Sequence, residues 1–284
     1  MTVAAPAMTS RGPERSRRRI KIPNERLFYA VLGFVGLLVI WELASNFDLD
    51  PETPGTQGLV KRILMSAPTL IWNAGIEDFS SGVIWPHIAI SLQEWFYGFI
   101  ISCFLGITLG LSLGWFRRFR LATQPLVSAL YSTPTIALFP LIVLIAGIGL
   151  ESKVILVVLA SIFAVIINTM VGVQSVSWKH LEIASSFGAS QTQIVRSVVL
   201  PTTIPFILTG VRLAAGRSLV GVVVAEFQAA NQGVGFYIAL NGQTLNTARV
   251  FIGLLLLGGF GIFVGELVRL VENRFDAWRP SIHR

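Results

Sequence analysis

The stretch from Leu121 to Leu150 reads LATQPLVSALYSTPTIALFPLIVLIAGIGL and contains no Asp, Glu, Lys or Arg. The same holds for Trp95 to Phe116 and for Val154 to Trp178. An α-helix of about 20 apolar residues crosses the roughly 30 Å hydrocarbon core of a bilayer. Each of these three stretches is therefore long enough to span a membrane as a helix.

Three further apolar stretches contain only isolated charges. They are Leu27 to Ala44 with Glu42, Phe206 to Glu226 with Arg212 and Arg217, and Val250 to Val271 with Glu266 and Arg269. The composition agrees, since 53% of the residues are hydrophobic and only 13% are charged, against about 25% charged in soluble domains. The sequence predicts an all-α, polytopic membrane protein with six transmembrane helices.

The basic residues indicate the orientation, because short cytoplasmic loops retain Lys and Arg. With the N-terminus inside, most of the 22 basic residues are cytoplasmic: Arg11, Arg15, Arg17, Arg18, Arg19, Lys21, Arg26, Arg117, Arg118, Arg120, Lys179, Arg196, Arg269, Arg274, Arg279 and Arg284. We therefore expect both termini in the cytoplasm. Topology accounts for the net charge of +7, and no nucleic-acid partner is predicted.

This topology divides the chain into five parts. They are a basic cytoplasmic tail (1–26), a first transmembrane helix (27–45), an extracytoplasmic loop (46–87), a transmembrane domain (88–273) with a cytoplasmic loop (178–205), and a cytoplasmic tail (274–284). Within the outer loop, apolar residues recur at near-helical spacing from Leu59 to Trp72, which predicts an interfacial amphipathic helix that Pro68 breaks. That helix could dock a partner or lie passively in the interface.

The polar segment between the fourth and fifth apolar stretches has an ordered pattern. It reads KHLEIASSFGAS from Lys179 to Ser190. Gly188 follows Glu182 by six positions, and Pro201 follows Gly188 by thirteen. The pattern resembles the EAA loop of ABC-importer permeases, with Ile183 in place of the first Ala.

The resemblance extends from about Trp85 to Trp278. Over this range the chain is similar to the nitrate, sulfonate and taurine branch of these permeases. The matching segments are Trp85–Leu92, Ser132–Pro134, Leu138–Leu141, Gly147–Gly149, Gly210–Arg212, Ala225–Phe227 and Gly233–Gly235. It implies a type I ABC-importer permease fold in a bacterial inner or plasma membrane. It also implies that the loop couples to an ATPase through Leu181, Glu182, Ile183, Ala184, Phe187, Gly188, Ala189 and Pro201.

The same resemblance implies the partners: a second permease chain forming a homodimer, two ATP-binding subunits and an extracytoplasmic substrate-binding protein. The chain has no Gly-Lys dipeptide and hence no phosphate-binding P-loop, so ATP and Mg²⁺ are expected on the partner ATPase and no cofactor on this chain. His87, His180 and His283 lie in separate segments outside the spans, so neither a catalytic residue nor a metal site is predicted. An ion-gradient-driven secondary transporter is the alternative, although the sequence shows no inverted repeats or midplane carboxylates.

Polar residues within the spans are candidates for the translocation pathway. Arg217 could offer its guanidinium to an oxyanion, or it could pair with a carboxylate or helix-end carbonyls within the bundle. Asn168 could line the pathway or form a hydrogen bond between helices, and Thr133 is a third candidate. Arg212 is expected to snorkel to the inner interface. Glu226 could form an outer gate or be a solvated helix end.

Overall fold

A computed structural model of the protein describes residues 25–46 and 66–275, and the regular secondary structure of these residues is helical. The α-helices are α1 (Glu25–Asn46), α2 (Pro68–Ser80), α3 (Ile84–Trp115), α4 (Arg117–Ser132), α5 (Phe139–Ala146), α6 (Leu150–Gln174), α7 (Trp178–Ser186), α8 (Gln191–Ile194), α9 (Leu200–Ala229), α10 (Val234–Gln243) and α11 (Thr247–Phe275). A 3₁₀ turn (Thr135–Leu138) precedes α5, and a π turn (Val195–Val199) joins α8 to α9.

Five of the described helices are long and apolar enough to cross a membrane. They are Phe28–Asn46, α3, α6, the continuous helix Gln191–Ala229, and Thr247–Glu272. The predicted third span is instead a pair of helices bent by 90°, Arg117–Ser132 and Thr135–Ala146. Counting the pair as one span gives six. The all-α, membrane-spanning prediction is therefore confirmed.

The bend has a local cause. Thr133 has extended backbone angles (φ −75°, ψ 130°) and is followed by Pro134. A residue before proline is driven out of the α region by the proline ring, so the helix ends at Ser132. The apolar stretch from Leu121 to Leu150 is divided into two helices for this reason.

Proline placement corrects two other boundaries. Pro68 lies in the first turn of α2 and begins that helix, where its missing N–H costs nothing. The predicted break at Pro68 coincides with the start of α2, and the earlier part of the predicted amphipathic helix lies outside the described residues. Pro201 likewise lies in the first turn of α9, and Pro205 lies inside it. The fifth span thus begins before Phe206, and Arg217 lies just past its middle.

Helices α3 and α6 form the centre of the bundle through a ladder of small residues. A Cβ added at Gly106 would approach Val165 and one at Gly110 would approach Thr169, both at 2.6 Å. The ladder continues at Gly114 with Val173. The residue numbers rise together on both helices, so α3 and α6 run parallel at close approach, as small residues allow in membranes.

Gly106→Ala is expected to destabilise the fold by about 1–3 kcal/mol, the usual cost of overpacking. The new Cβ would lie 2.6 Å from the Cβ of Val165, and the helices would have to separate. The measurement is the thermal unfolding midpoint of the detergent-solubilised chain. Gly259→Ala is the matched control, because a Cβ there meets nothing within 4 Å. Equal midpoints for the two variants would contradict the close packing of α3 on α6.

An ionic network holds α2 against the N-terminal parts of α10 and α11. Asp78 is 2% exposed and accepts hydrogen bonds from Arg249 Nε at 3.0 and 3.1 Å and from the Tyr237 hydroxyl at 2.5 Å. Burial, together with the Asp78 carboxylate, raises the pKa of Tyr237, so its hydroxyl remains a donor. The buried Asp78 carboxylate is therefore fully paired, and this pairing fixes α2 in place.

Candidate coupling surface and pathway residues

The segment from α7 to α8, which contains the predicted coupling residues, is folded by two cap structures. Helix α7 ends in a Schellman motif: the Ala189 N–H donates to the Ala184 carbonyl at 3.1 Å and the Gly188 N–H to the Ser185 carbonyl at 2.9 Å. Gly188 has φ +75°, a conformation that glycine adopts without strain. Ser190 and Gln193 then form a capping box that starts α8. The chain reverses at Gly188 in a defined geometry.

One side of this loop is anchored to the bundle. The partly buried side chains Leu181, Ala184 and Ala189 pack against a buried cluster that includes Ile194 and Val199. The buried members of this cluster lie on α6, on α8 and in the π turn. Hydrophobic contact with these elements therefore fixes the position of α7. The predicted coupling residues Leu181, Ala184 and Ala189 are on this inner side.

The other side of the loop is open. Phe187 is 88% exposed and Ile183 is 55% exposed. Glu182 is also exposed, and it forms no ion pair with the part of the chain that the structure describes. We name Glu182, Ile183 and Phe187 the coupling surface. An apolar, acidic projection held by an anchored helix is suited to a complementary cleft on another protein.

Arg217 lies on α9 within an apolar span and has no carboxylate partner among the described residues. Its Nη2 donates to the Tyr131 hydroxyl at 2.8 Å, and its guanidinium lies 5.0 Å from the centre of the Tyr131 ring. Arg217 is exposed in the isolated chain. Neither a carboxylate nor a helix-end carbonyl within residues 25–46 and 66–275 pairs with the guanidinium.

The other two pathway candidates bond within their own helices. Asn168 Nδ2 donates to the Ala164 carbonyl at 2.8 Å, and Thr133 Oγ1 donates to the Ala129 carbonyl at 2.9 Å. The expected interhelical hydrogen bond of Asn168 is not formed within the described chain. No hydrogen bond links either residue to Arg217, so the structure does not assemble these candidates into one site.

Arg212 has a role that the sequence reading missed. It forms an ion pair with Glu272, a buried acid on α11. The pair ties α9 to α11, and the expectation that Arg212 snorkels to the interface is replaced by this contact. The two residues lie far apart in the sequence, so neither apolar stretch alone could indicate the pairing.

Glu226 is 1% exposed, so the solvated helix end is wrong. Its Oε1 accepts from the Ser91 hydroxyl at 2.5 Å, and its Oε2 accepts from the Gly235 N–H at 2.5 Å. The Val234 N–H donates to Ser91 Oγ at 2.8 Å. Glu226 therefore joins the end of α9 to α3 and to the start of α10.

A second buried acid lies beside this contact. Glu94 is 1% exposed, and its Oε1 accepts from Lys153 Nζ on α6 at 2.7 Å. We name Ser91, Glu94, Lys153 and Glu226 the outer carboxylate cluster. The cluster borders a pocket of about 380 Å³, whose lining includes Gln93, Asn231 and Gln232. The sequence signal for Glu94 and Lys153 was their position beside uncharged stretches.

The bundle and its anchored loop define a membrane permease of the ABC-importer class. Residues 103–277 match the family described as the binding-protein-dependent transport system inner membrane component. The chain belongs to this family. It is accordingly the inner-membrane permease subunit of a binding-protein-dependent, ATP-driven importer, which overturns the alternative of an ion-gradient-driven secondary transporter.

Individual relatives support the assignment along most of the chain. SsuC of Bacillus subtilis, described as an aliphatic sulfonates transport permease, is 33% identical over 86% of this chain and 85% of its own. ThiX of Halalkalibacterium halodurans, a formylaminopyrimidine transport permease, is 30% identical over 88% of this chain and 95% of its own. TauC of Escherichia coli, a taurine transport permease, is 29% identical over 87% of this chain and 88% of its own. The solved structure of an amino acid ABC transporter matches in fold, with a TM-score of 0.55 at 17% identity over 69% of this chain and 95% of that one.

Proposed function

We propose that this chain pairs with a second copy of itself to form the translocation pathway for a small organic anion, driven by two ATPase subunits and supplied by an extracytoplasmic binding protein. The observation that carries the proposal is the coupling surface. Phe187 is 88% exposed on a helix whose opposite face is packed on the bundle. A large apolar side chain so placed gains most of its burial from a partner.

The anchored loop can transmit movement because it is short and doubly capped. A cleft that closes around Glu182 and Phe187 would pull on Leu181 and Ala184, which contact the bundle directly. That motion would pass into α6 and α9, the two long helices beside the loop. Alternating access then follows from a change in the relative populations of two helix arrangements.

The orientation follows from the same arrangement. The coupling surface must face the cytoplasm, where ATP is available, so the loop 178–205 and the two tails, 1–26 and 274–284, are placed inside. The segment 46–87 and the outer carboxylate cluster then lie at the extracytoplasmic end. The positive-inside distribution of the basic residues supports this placement.

An anionic solute is supported by Arg217. A guanidinium without a carboxylate partner is costly in hydrocarbon, so its side of α9 should face water or the second copy. A fork of donors there suits a sulfonate or carboxylate. Aliphatic sulfonates and taurine, the solutes named for two of the relatives, both carry a sulfonate group.

The test is reconstitution of the full chain in lipid with its candidate ATPase and binding protein. We expect the three proteins to associate, and ATP hydrolysis to rise when binding protein loaded with a sulfonate is added. Binding protein without solute is the control and should stimulate less. A chain that binds no ATPase, or hydrolysis that ignores loaded binding protein, would contradict the proposal.

A further inference from the structure

The outer ends of α3, α6 and α9 enclose two acidic side chains that face each other. Glu94 and Glu226 are each 1% exposed. Ser91 donates its hydroxyl to Glu226 at 2.5 Å, and Glu94 follows Ser91 by three residues, on the same face of α3. This bond and this spacing make the two carboxyl groups neighbours across α3 and α9.

Three of the four carboxyl oxygens have a hydrogen-bond donor. Those of Glu226 accept from the Ser91 hydroxyl and the Gly235 N–H, and Glu94 Oε1 accepts from Lys153. Glu94 Oε2 is the one buried carboxyl oxygen in the described chain without a partner. A buried acceptor left without a donor costs about 1–3 kcal/mol, and more when it is charged. This oxygen therefore requires a hydrogen.

The charges of the cluster also fail to balance. Two ionised carboxylates against the one ammonium of Lys153 leave a buried net charge of −1, which is unfavourable without compensation. The neighbouring His87 on α3 does not supply it, since its Nδ1 accepts the Gly233 N–H at 3.1 Å and carries no proton there.

The other elements packed on the pair add no cation. The second charged residue at the start of α6, Glu151, is acidic and exposed, and α10 has no charged side chain. Helix α9 contributes only Glu226 to the cluster. The missing positive charge therefore has no side-chain source among these helices.

We propose that Glu94 and Glu226 form a proton-binding site, with one proton held between Glu94 Oε2 and Glu226. The proton supplies the missing hydrogen bond and makes the cluster of two carboxyl groups and one ammonium neutral. Adjacent carboxyl groups commonly share one proton, because both cannot ionise at close range. The site joins the outer ends of three helices to the turn before α10.

The consequence is a dependence on pH with a definite sign. The folded chain holds a proton that a free carboxyl group releases at neutral pH, so folding binds protons and stability falls as the pH rises. Deprotonation leaves two carboxylates repelling each other across α3 and α9. The outer end of the bundle is therefore held together more firmly at an acidic exterior.

Infrared spectroscopy of the purified full chain in lipid tests the site directly. We expect a protonated carboxylic acid band at neutral pH that shifts in D₂O. Glu94→Gln and Glu226→Gln should each abolish this band. In Glu226→Gln the remaining carboxylate, Glu94, is paired with the Lys153 ammonium, and in Glu94→Gln the remaining carboxylate, Glu226, keeps its two neutral donors. His87→Gln is the control and should retain the band. A wild-type chain without it, or a band that persists in both acid variants, would overturn the proposal.

A second measurement covers the case in which the variants fold poorly. The thermal unfolding midpoint of the wild-type chain should fall as the pH rises from about 5 to about 9, and the infrared band should disappear over the same interval. Glu94→Gln, whose amide can still donate to Glu226, should show a flatter profile. A wild-type band that does not titrate together with the midpoint would count against the site. Neither measurement involves an ATPase, so failure here leaves the proposed coupling untouched.

Discussion

Glu182→Ala is expected to lower solute-stimulated ATP hydrolysis by about 10- to 150-fold, the effect of losing a charged hydrogen bond of about 1.5–3 kcal/mol. Glu182 is exposed and forms no ion pair within the described residues, so its removal should leave the chain folded. The loss should therefore appear in coupling and not in stability. The measurement is ATPase activity of the reconstituted complex with loaded binding protein, beside the unfolding midpoint of the chain.

Glu151→Ala is the matched control for this prediction. Glu151 is also an exposed acid on a helix, but it lies at the opposite end of α6 from the loop. We expect the reconstituted complex that contains this variant to hydrolyse ATP at the wild-type rate. Normal stimulated hydrolysis by Glu182→Ala would show that the carboxylate does not couple the two proteins, and loss of stability in that variant would show a structural role instead.

The spans and the loop were predictable from the sequence because both depend on local patterns. Uncharged stretches such as Val154 to Trp178 report membrane helices by length alone. The loop depends on short-range features: Gly188 ends α7 and a Ser-x-x-Gln pattern starts α8. Structural features that depend on residues close together in the chain can be predicted from the sequence.

The bend in the third span also has a local cause, which hydropathy alone does not indicate. Hydropathy ignores backbone geometry, so Pro134 did not interrupt the apolar stretch in which it lies. The restriction that proline places on Thr133 was nevertheless readable. A reading that combined hydropathy with proline position would have divided the stretch there.

The outer carboxylate cluster could not be predicted in the same way. Its members come from α3, α6 and α9, and the hydrogen bond from Ser91 to Glu226 joins residues 135 positions apart. Counting residues along a helix gives depth in the membrane, but it does not give the neighbours on other helices. Glu226 was correctly placed near the end of its span, yet its burial depends on the turn before α10.

The same limit applies to Arg212 and Arg217, which lie on one helix and have different partners. Arg212 forms an ion pair with Glu272, whereas Arg217 contacts the Tyr131 hydroxyl and ring and no carboxylate in the part of the chain that the structure describes. Arg212 is therefore a structural residue, whereas Arg217 has hydrogen-bond donors that Tyr131 does not use. We therefore propose Arg217, and not Arg212, as the residue that contacts the solute.

Arg217→Ala is expected to lower uptake of an aliphatic sulfonate into vesicles by about 10- to 150-fold, because it removes charge-assisted hydrogen bonds of about 1.5–3 kcal/mol. Hydrolysis stimulated by loaded binding protein should persist, since the coupling surface is intact. Arg217→Lys keeps the charge without the planar fork, so it should recover only part of the uptake. The measurement is the ratio of solute transported to ATP hydrolysed in the reconstituted complex.

Tyr131→Phe provides the control, because it removes the hydroxyl that binds Arg217 and keeps the ring against the guanidinium. It should transport within about threefold of the wild type, since a neutral hydrogen bond contributes only about 0.5–1.5 kcal/mol. If Tyr131→Phe and Arg217→Ala lose uptake equally, the pair acts as a structural contact between α4 and α9. If Arg217→Ala transports normally, the guanidinium does not face the solute at all. Only a loss confined to the arginine variants places this residue in the pathway.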